Sequence, residues 1–92
     1  MCSFIFTNKA IDNLDYINYY TKKRGPDHTE VTTIDGYHII HNLLSITGDF
    51  TPQPFIDNNI VCFYNGQIYN YQDFDINCRS DGEVLIPLYQ QY

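Results

Sequence analysis

Basic residues are scarce in this chain: five lysines and arginines stand against eleven aspartates and glutamates, for a net charge of −6. That balance excludes a nucleic-acid backbone or an anionic membrane from the expected partners, since both demand positive charge facing them. Its ordinary consequence is solubility. Long apolar runs are missing as well. The longest span a few residues, against the roughly 20 that a bilayer crossing requires, so no transmembrane segment is expected. No basic-then-apolar leader stands at the start, and three cysteines, Cys2, Cys62 and Cys78, cannot all pair within one chain. Both features point to a reducing cytoplasmic setting. Ninety-two residues leave no room for two cores, so residues 1–92 are read as one small unit without repeats, low-complexity tracts or linkers.

What is present is ordered as short strands and helices. Cys2 to Phe6 is a β-rich run with Phe4 and Phe6 on one side and Cys2 sharing it by the two-residue period of a strand. Ile11, Leu14, Ile17 and Tyr20 recur at three-residue steps, which predicts a helix over Ile11–Tyr20 with Asp12 and Asp15 near its start. It ends before Gly25-Pro26, because proline disfavours helix in the residue ahead of it. Val31–Ile34 and Tyr37–His41 flank Asp35-Gly36, and Ile60–Tyr64 and Gln67–Tyr71 flank Asn65-Gly66, so two β-hairpins are expected. Between them Thr47 to Pro54, with Gly48, Pro52 and Pro54, reads as an irregular loop. Asp81 to Tyr92 reads as a helix with Val84, Leu85, Leu88 and Tyr89 on one face, Ser80 as N-cap and Glu83 completing a capping box. Pro87 should kink it.

Several residues carry candidate chemistry. Loss of Met1, favoured before a small residue, would leave Cys2 with both a thiol and a free α-amino group. An α-amino group titrates near roughly 7.7 to 8.0 and a thiol near about 8.5, so the amine can take the thiol's proton close to physiological pH. The competing reading of Cys2 is a strand that happens to begin early. Asn65-Gly66 offers a side-chain amide and a backbone N–H, the donor types that stabilise the oxyanion of acyl transfer. Taken alone it reads first as a plain hairpin turn, a role physically compatible with the other. His28, His38 and His41 with Asp35 make a poor metal set, because His38 and His41, three apart on a strand, face opposite sides. Cys62 and Cys78 lack a close-spaced partner cysteine, so no metal site is expected. Arg24 and Asp27 around Gly25-Pro26 read as a salt-bridged or capped turn after a helix.

The order of these signals is distinctive: a Met-Cys start, Arg24-Gly25-Pro26-Asp27, His41-Asn42-Leu43-Leu44-Ser45-Ile46 and Gln53-Pro54-Phe55. Tyr64-Asn65-Gly66-Gln67-Ile68-Tyr69-Asn70 and Ser80-Asp81-Gly82-Glu83-Val84-Leu85 follow. This succession resembles the N-terminal glutaminase domain of class II glutamine amidotransferases, most closely that of glutamine-dependent asparagine synthetases. The resemblance implies an α+β fold, the N-terminal-nucleophile hydrolase type of four-layer α/β/β/α sandwich with antiparallel sheets. By the same resemblance Cys2 attacks the side-chain amide of glutamine, releasing ammonia and leaving a glutamyl thioester that water hydrolyses. Asn65 and the Gly66 N–H hold the oxyanion, Asp81 pairs with the substrate's α-ammonium, and Ile46 and Gln67 line the glutamine pocket. No cofactor is expected in this segment; ATP and Mg belong to a separate synthetase domain, in the same or another chain, that accepts the ammonia.

Three departures from the family pattern bear on function. The position of Leu43 usually holds an arginine that grips the glutamine α-carboxylate with two charge-assisted hydrogen bonds. Losing that contact weakens binding by roughly 1.5 to 3 kcal/mol, a factor of about ten to a hundred and more, unless another base substitutes. Gln67 stands where glutamate is common, a milder change. The chain is also about half as long as a complete domain of this family, so residues 1–92 are expected to be its N-terminal portion, with the C-terminal half as a missing partner. The alternative function is a catalytically silent relative that keeps the fold as a binding or regulatory module, with Leu43 as its clue. An unrelated β-rich interaction domain would have to produce all six ordered motifs by chance.

Overall fold

β-branched and aromatic side chains in alternation make the first strand, β1 (Ser3–Thr7), and the Asp35-Gly36 turn joins β2 (His28–Ile34) to β3 (Tyr37–Leu43). The structure, a computed structural model, describes residues 2–46, 48–74 and 76–92. The expected removal of Met1, and Thr47 at the head of the expected loop, lie outside the described residues. β3 is the centre of a three-stranded antiparallel sheet. It sets Asn42 opposite Ser3 of β1 and opposite Thr29 of β2. The first hairpin is therefore present and longer at both ends than the sequence suggests. Asp35 (φ 51°) and Gly36 (φ 81°) both take the positive angles that a two-residue connection needs.

Helix α1 (Leu14–Thr21) begins later than the periodicity predicts, then tightens into a 3₁₀ turn over Lys22–Arg24 and stops at Gly25, ahead of Pro26 as expected. Its apolar spine is not what it buries. Ile11, Ile17 and Tyr20 are exposed, whereas Asn18 is buried and Leu14 and Thr21, four before and three after it, are half-buried. Ile11 falls ahead of the helix, and a three-residue step drifts around a helix of 3.6 residues per turn, so Leu14 and Tyr20 end on different faces. The contact with the sheet is polar. Asn42, with no exposed surface, donates to Asn18 Oδ1 at 2.8 Å and to Ser3 Oγ at 3.1 Å, and accepts from Asn18 at 3.2 Å and from Thr29 Oγ1 at 2.8 Å. Ser3 in turn donates to the Thr21 carbonyl at 2.7 Å, so every member is satisfied and the helix is pinned in register.

The second expected hairpin is corrected. A hairpin exists, but its strands are β4 (Phe55–Asp57) and β5 (Ile60–Cys62), turned at Asn58-Asn59 with Asn58 at φ 53°. Asn65-Gly66 joins no strands, and Tyr71–Phe74 forms a 3₁₀ turn. The backbone groups that a ladder would use are already bonded to side chains from other segments. Tyr64 N–H donates to Gln53 Oε1 and Ile68 N–H to Asp81 Oδ2, both at 2.8 Å.

At the C-terminal end, Ser80 stands extended at the N-cap position (φ −143°, ψ 165°), but the capping box does not form. Glu83 receives Arg79 Nε at 3.0 Å instead, and Asp81–Val84 is a 3₁₀ turn that passes into α2 (Leu85–Gln91). That entry puts Pro87 in the first turn of α2, where its missing N–H costs little and no kink is required.

The apolar core gathers Ile39, Ile40 and Leu43 of β3 with Val84 and Ile86. Each such side chain, fully buried, contributes roughly 1.5 to 3 kcal/mol. On the sheet face opposite α1, Phe4 meets Phe63 edge-on at 4.7 Å and Phe6 stacks on Tyr37 at 5.0 Å. The result is an α+β architecture with antiparallel sheets. Among the described residues no helix is long and apolar enough to cross a membrane.

Candidate active site

β1 delivers Cys2 to the end of β3. There Leu44 N–H donates to Cys2 Sγ at 3.3 Å, and the thiol faces the Leu44 carbonyl at 3.8 Å. The Arg24-Gly25-Pro26-Asp27 turn holds this end of β3 from the other side. Gly25 lies so close to β3 that a Cβ would strike the Asn42 carbonyl, so no larger residue fits. Asp27 N–H donates to the Leu43 carbonyl at 2.9 Å, and Asp27 Oδ2 accepts from Ser45 N–H at 2.8 Å. Asp27 thus caps the strand that leads into the site. Of the two readings of this turn, salt-bridged or capped, the structure shows the capped one, and no Arg24–Asp27 ion pair is present among the described residues.

The facing wall is built from Tyr64 to Ile68. Gln53 holds the Tyr64 N–H, and His41 Nε2 lies 3.3 Å from the Tyr64 carbonyl. A carbonyl only accepts, so Nε2 carries the proton. His41 is 1% exposed, and its Nδ1 is buried without a partner among the described residues. Burial pushes the imidazole below its ordinary pKa, outweighing the opposite pull of the Tyr64 carbonyl, with His28 adding to the lowering. His41 is a neutral structural donor here.

Asp81, 8% exposed, closes the third side. Burial first, and then the hydrogen bond and charge of Asp81, push the Tyr64 phenol well above its ordinary pKa, so its hydroxyl stays protonated beside that carboxylate. Gly82 permits this closure, since a Cβ there would meet the rings of Tyr64 and Phe55.

These walls enclose a cavity of about 260 Å³. Of the residues singled out from the sequence, Cys2, Ile46, Gly66, Gln67 and Asp81 all line it, and so does Leu43. Asn65 is the exception: it is exposed and is not part of the cavity wall, although its neighbour Gly66 is. Sequence reasoning missed the roles of Tyr64, Gln53, His41 and Asp49. The first three sit inside the quoted motifs, so their signal was present; Asp49 comes from the loop and carried none.

His28 pairs with Glu30 at 3.4 Å and His38 with Thr33 Oγ1 at 3.3 Å, leaving the histidines dispersed. Among the described residues no three His, Cys, Asp or Glu side chains converge as a metal set. Cys2, Cys62 and Cys78 are free thiols, and burial raises the latter two, Glu83 adding to the rise at Cys78. A thiol that shares a cavity with a carboxylate and with the glycine backbone at Gly66 suits attack on a carbonyl of a small substrate carrying a cationic group.

A provisionally named asparagine synthetase (glutamine-hydrolyzing) 1 of Methanocaldococcus jannaschii is 31% identical over 87 residues, covering 84% of this chain and 16% of its own. Asparagine synthetase (glutamine-hydrolyzing) 2 of Oryza sativa subsp. japonica is 31% identical over 84 residues, covering 77% of this chain and 14% of its own. The chain thus spans about a sixth or less of the length of these relatives. No solved structure matches it. The family model for a glutamine amidotransferase domain matches residues 1–92, the whole of the chain, and the chain belongs to that family.

Proposed function

We propose that this chain is the nucleophile-bearing part of a glutaminase domain that supplies ammonia to a synthetase, with Cys2 as the catalytic thiol. The observation that carries the reading is the shared cavity, which gathers Cys2 with Ile46, Gly66, Gln67 and Asp81 from four separate stretches of sequence. Cys2 Sγ bonds to the carbonyl carbon of the substrate's primary amide. The Gly66 N–H, with the Asn65 amide turned inward on substrate binding, takes the developing oxyanion. The α-amino group exposed by loss of Met1 accepts the thiol proton and passes it to the departing nitrogen. The C–N bond breaks, ammonia leaves, and water then cleaves the thioester, restoring the thiol and releasing the carboxylate product. Asp81 faces the substrate's ammonium group, while Ile46 and Gln67 form the walls beside it.

The acceptor of the ammonia is a synthetase domain, in the same or another chain, where ATP and Mg reside. The four-layer sandwich of the family and the reducing cytoplasmic setting are parts of this proposal.

The test is direct. Intact mass should reveal loss of Met1, and a glutamine-like diazoketone should label Cys2. Retained Met1, or labelling that persists undiminished in Cys2→Ala, would defeat the enzyme reading. A second reading, a silent binding module, draws on Leu43, which is 6% exposed and presents an aliphatic surface to the cavity.

A further inference from the structure

We propose that the cavity takes a primary amide that carries an ammonium group and no free carboxylate, of which γ-aminobutyramide is the simplest form. This deepens the hydrolase reading given above and rests on it. Electrostatics of the wall carries the inference. The lining contributes two carboxylates, Asp49 and Asp81, and neither a lysine, an arginine nor a histidine.

Every base in the chain is placed elsewhere. Lys9 follows β1 on the surface, and Lys22, Lys23 and Arg24 occupy the exposed 3₁₀ turn after α1, with Lys23 Nζ 5.3 Å from the Tyr19 ring centre. Arg79 is bound to Glu83 at 3.0 Å. Met1, Thr47 and Asp75, which lie outside the described residues, bring no basic side chain. The histidines do not substitute: His28 faces Glu30, His38 faces Thr33, and His41 is neutral behind Tyr64.

The two carboxylates therefore outnumber the one cation the hydrolase reading places here, the α-ammonium that loss of Met1 leaves on Cys2, and Leu43 adds apolar surface. An ammonium group entering this space meets opposite charge at Asp81 and Asp49. A carboxylate on the same substrate meets like charge and an aliphatic wall, and gives up its water for neither. Zwitterionic glutamine carries both groups; γ-aminobutyramide carries only the favoured one. The chemistry is unchanged: the amide C–N bond breaks, water supplies the oxygen, and the products are γ-aminobutyrate and ammonia.

The experiment compares glutamine, glutamine methyl ester and γ-aminobutyramide with the full chain. Two readouts are taken: ammonia release, and protection of Cys2 from alkylation, which reports binding without turnover. The two carboxylate-free amides should show kcat/KM at least ten-fold above glutamine and protect Cys2 at correspondingly lower concentration. Leu43→Arg, with its fold checked by circular dichroism, should shift the ratio at least ten-fold toward glutamine. Ammonia release with glutamine equal or preferred overturns the specificity and leaves the hydrolase reading standing. Protection by γ-aminobutyramide without turnover supports the specificity and removes the hydrolase reading. Neither protection nor turnover with any of the three overturns both.

Discussion

His41 Nε2 sits 3.3 Å from the carbonyl oxygen of Tyr64, joining the centre of the three-stranded sheet to the residue just before Asn65-Gly66. Gln53 takes the N–H of the same residue at 2.8 Å. Both holding side chains are almost wholly buried, at 1% and 4% exposure. Tyr64 is thus clamped at both of its backbone polar groups, and the direction in which the chain enters Gly66 follows from that clamp. A hairpin turn would have satisfied the same groups from a neighbouring strand.

His41 gives the fold a pH dependence whose sign is determined by burial. Its folded pKa is lowered, so above the unfolded value of about 6.5 both states are neutral and it contributes no slope. Below about 6.5 the unfolded chain binds a proton that the folded one refuses, and stability falls as pH drops toward the folded pKa by up to about 1.4 kcal/mol per pH unit. Urea midpoints measured from pH 7.5 down to 5 should show this loss, and His41→Gln should remove that part of the slope.

Gln53→Leu leaves the Tyr64 N–H buried without an acceptor. The cost should be roughly 1 to 3 kcal/mol in urea unfolding. Because the loosened segment is the one that carries Gly66, labelling of Cys2 by a glutamine-like electrophile should slow more than its alkylation by iodoacetamide. Equal slowing of both would show that Tyr64 does not position the substrate wall.

Asn42→Leu removes four hydrogen bonds at once from the contact between α1 and the sheet. Asn18 Oδ1 keeps the Thr21 hydroxyl at 3.0 Å, but Asn18 Nδ2 loses its acceptor and Ser3 Oγ its donor, so destabilisation of roughly 1 to 3 kcal/mol for each buried partner left unpaired is expected. Hydrogen exchange should report it first in α1, which has little apolar burial of its own.

Gly25→Ala drives a methyl group into the Asn42 carbonyl and the Leu43 amide. Overpacking of this kind costs about 1 to 3 kcal/mol. The displacement falls on the end of β3 that carries Leu44, so the Leu44 contact with Cys2 should be disturbed. A shift of the Leu44 amide resonance would check it.

Much of the frame was legible in the sequence because its causes are local. Asp35-Gly36 supplies the backbone angles of its own turn, Gly25-Pro26 ends α1 by its own sterics, and Ser80 starts the last helical segment where expected. The motif residues Cys2, Ile46, Gly66, Gln67 and Asp81 were identifiable by resemblance, and they share one cavity. Asn65 was identifiable in the same way and stands outside it.

What local pattern could not reveal is where side chains from distant segments compete for backbone groups. Asn65-Gly66 has the composition of a hairpin turn, yet Gln53, His41 and Asp81 reach the flanking backbone first and hold it irregular. The spine of α1 has helical spacing, yet Asn18 is what it buries, because Asn42 offers a matching amide across the sheet. The sequence by itself determined the strand that follows Cys2, one residue later than the pattern predicts, the first turn, the helix stop and the negative charge. The tertiary structure alone decided that the charge falls inside the cavity and the bases outside it, since only packing brings Asp49 and Asp81 together around Cys2 while the five bases stay outside its walls.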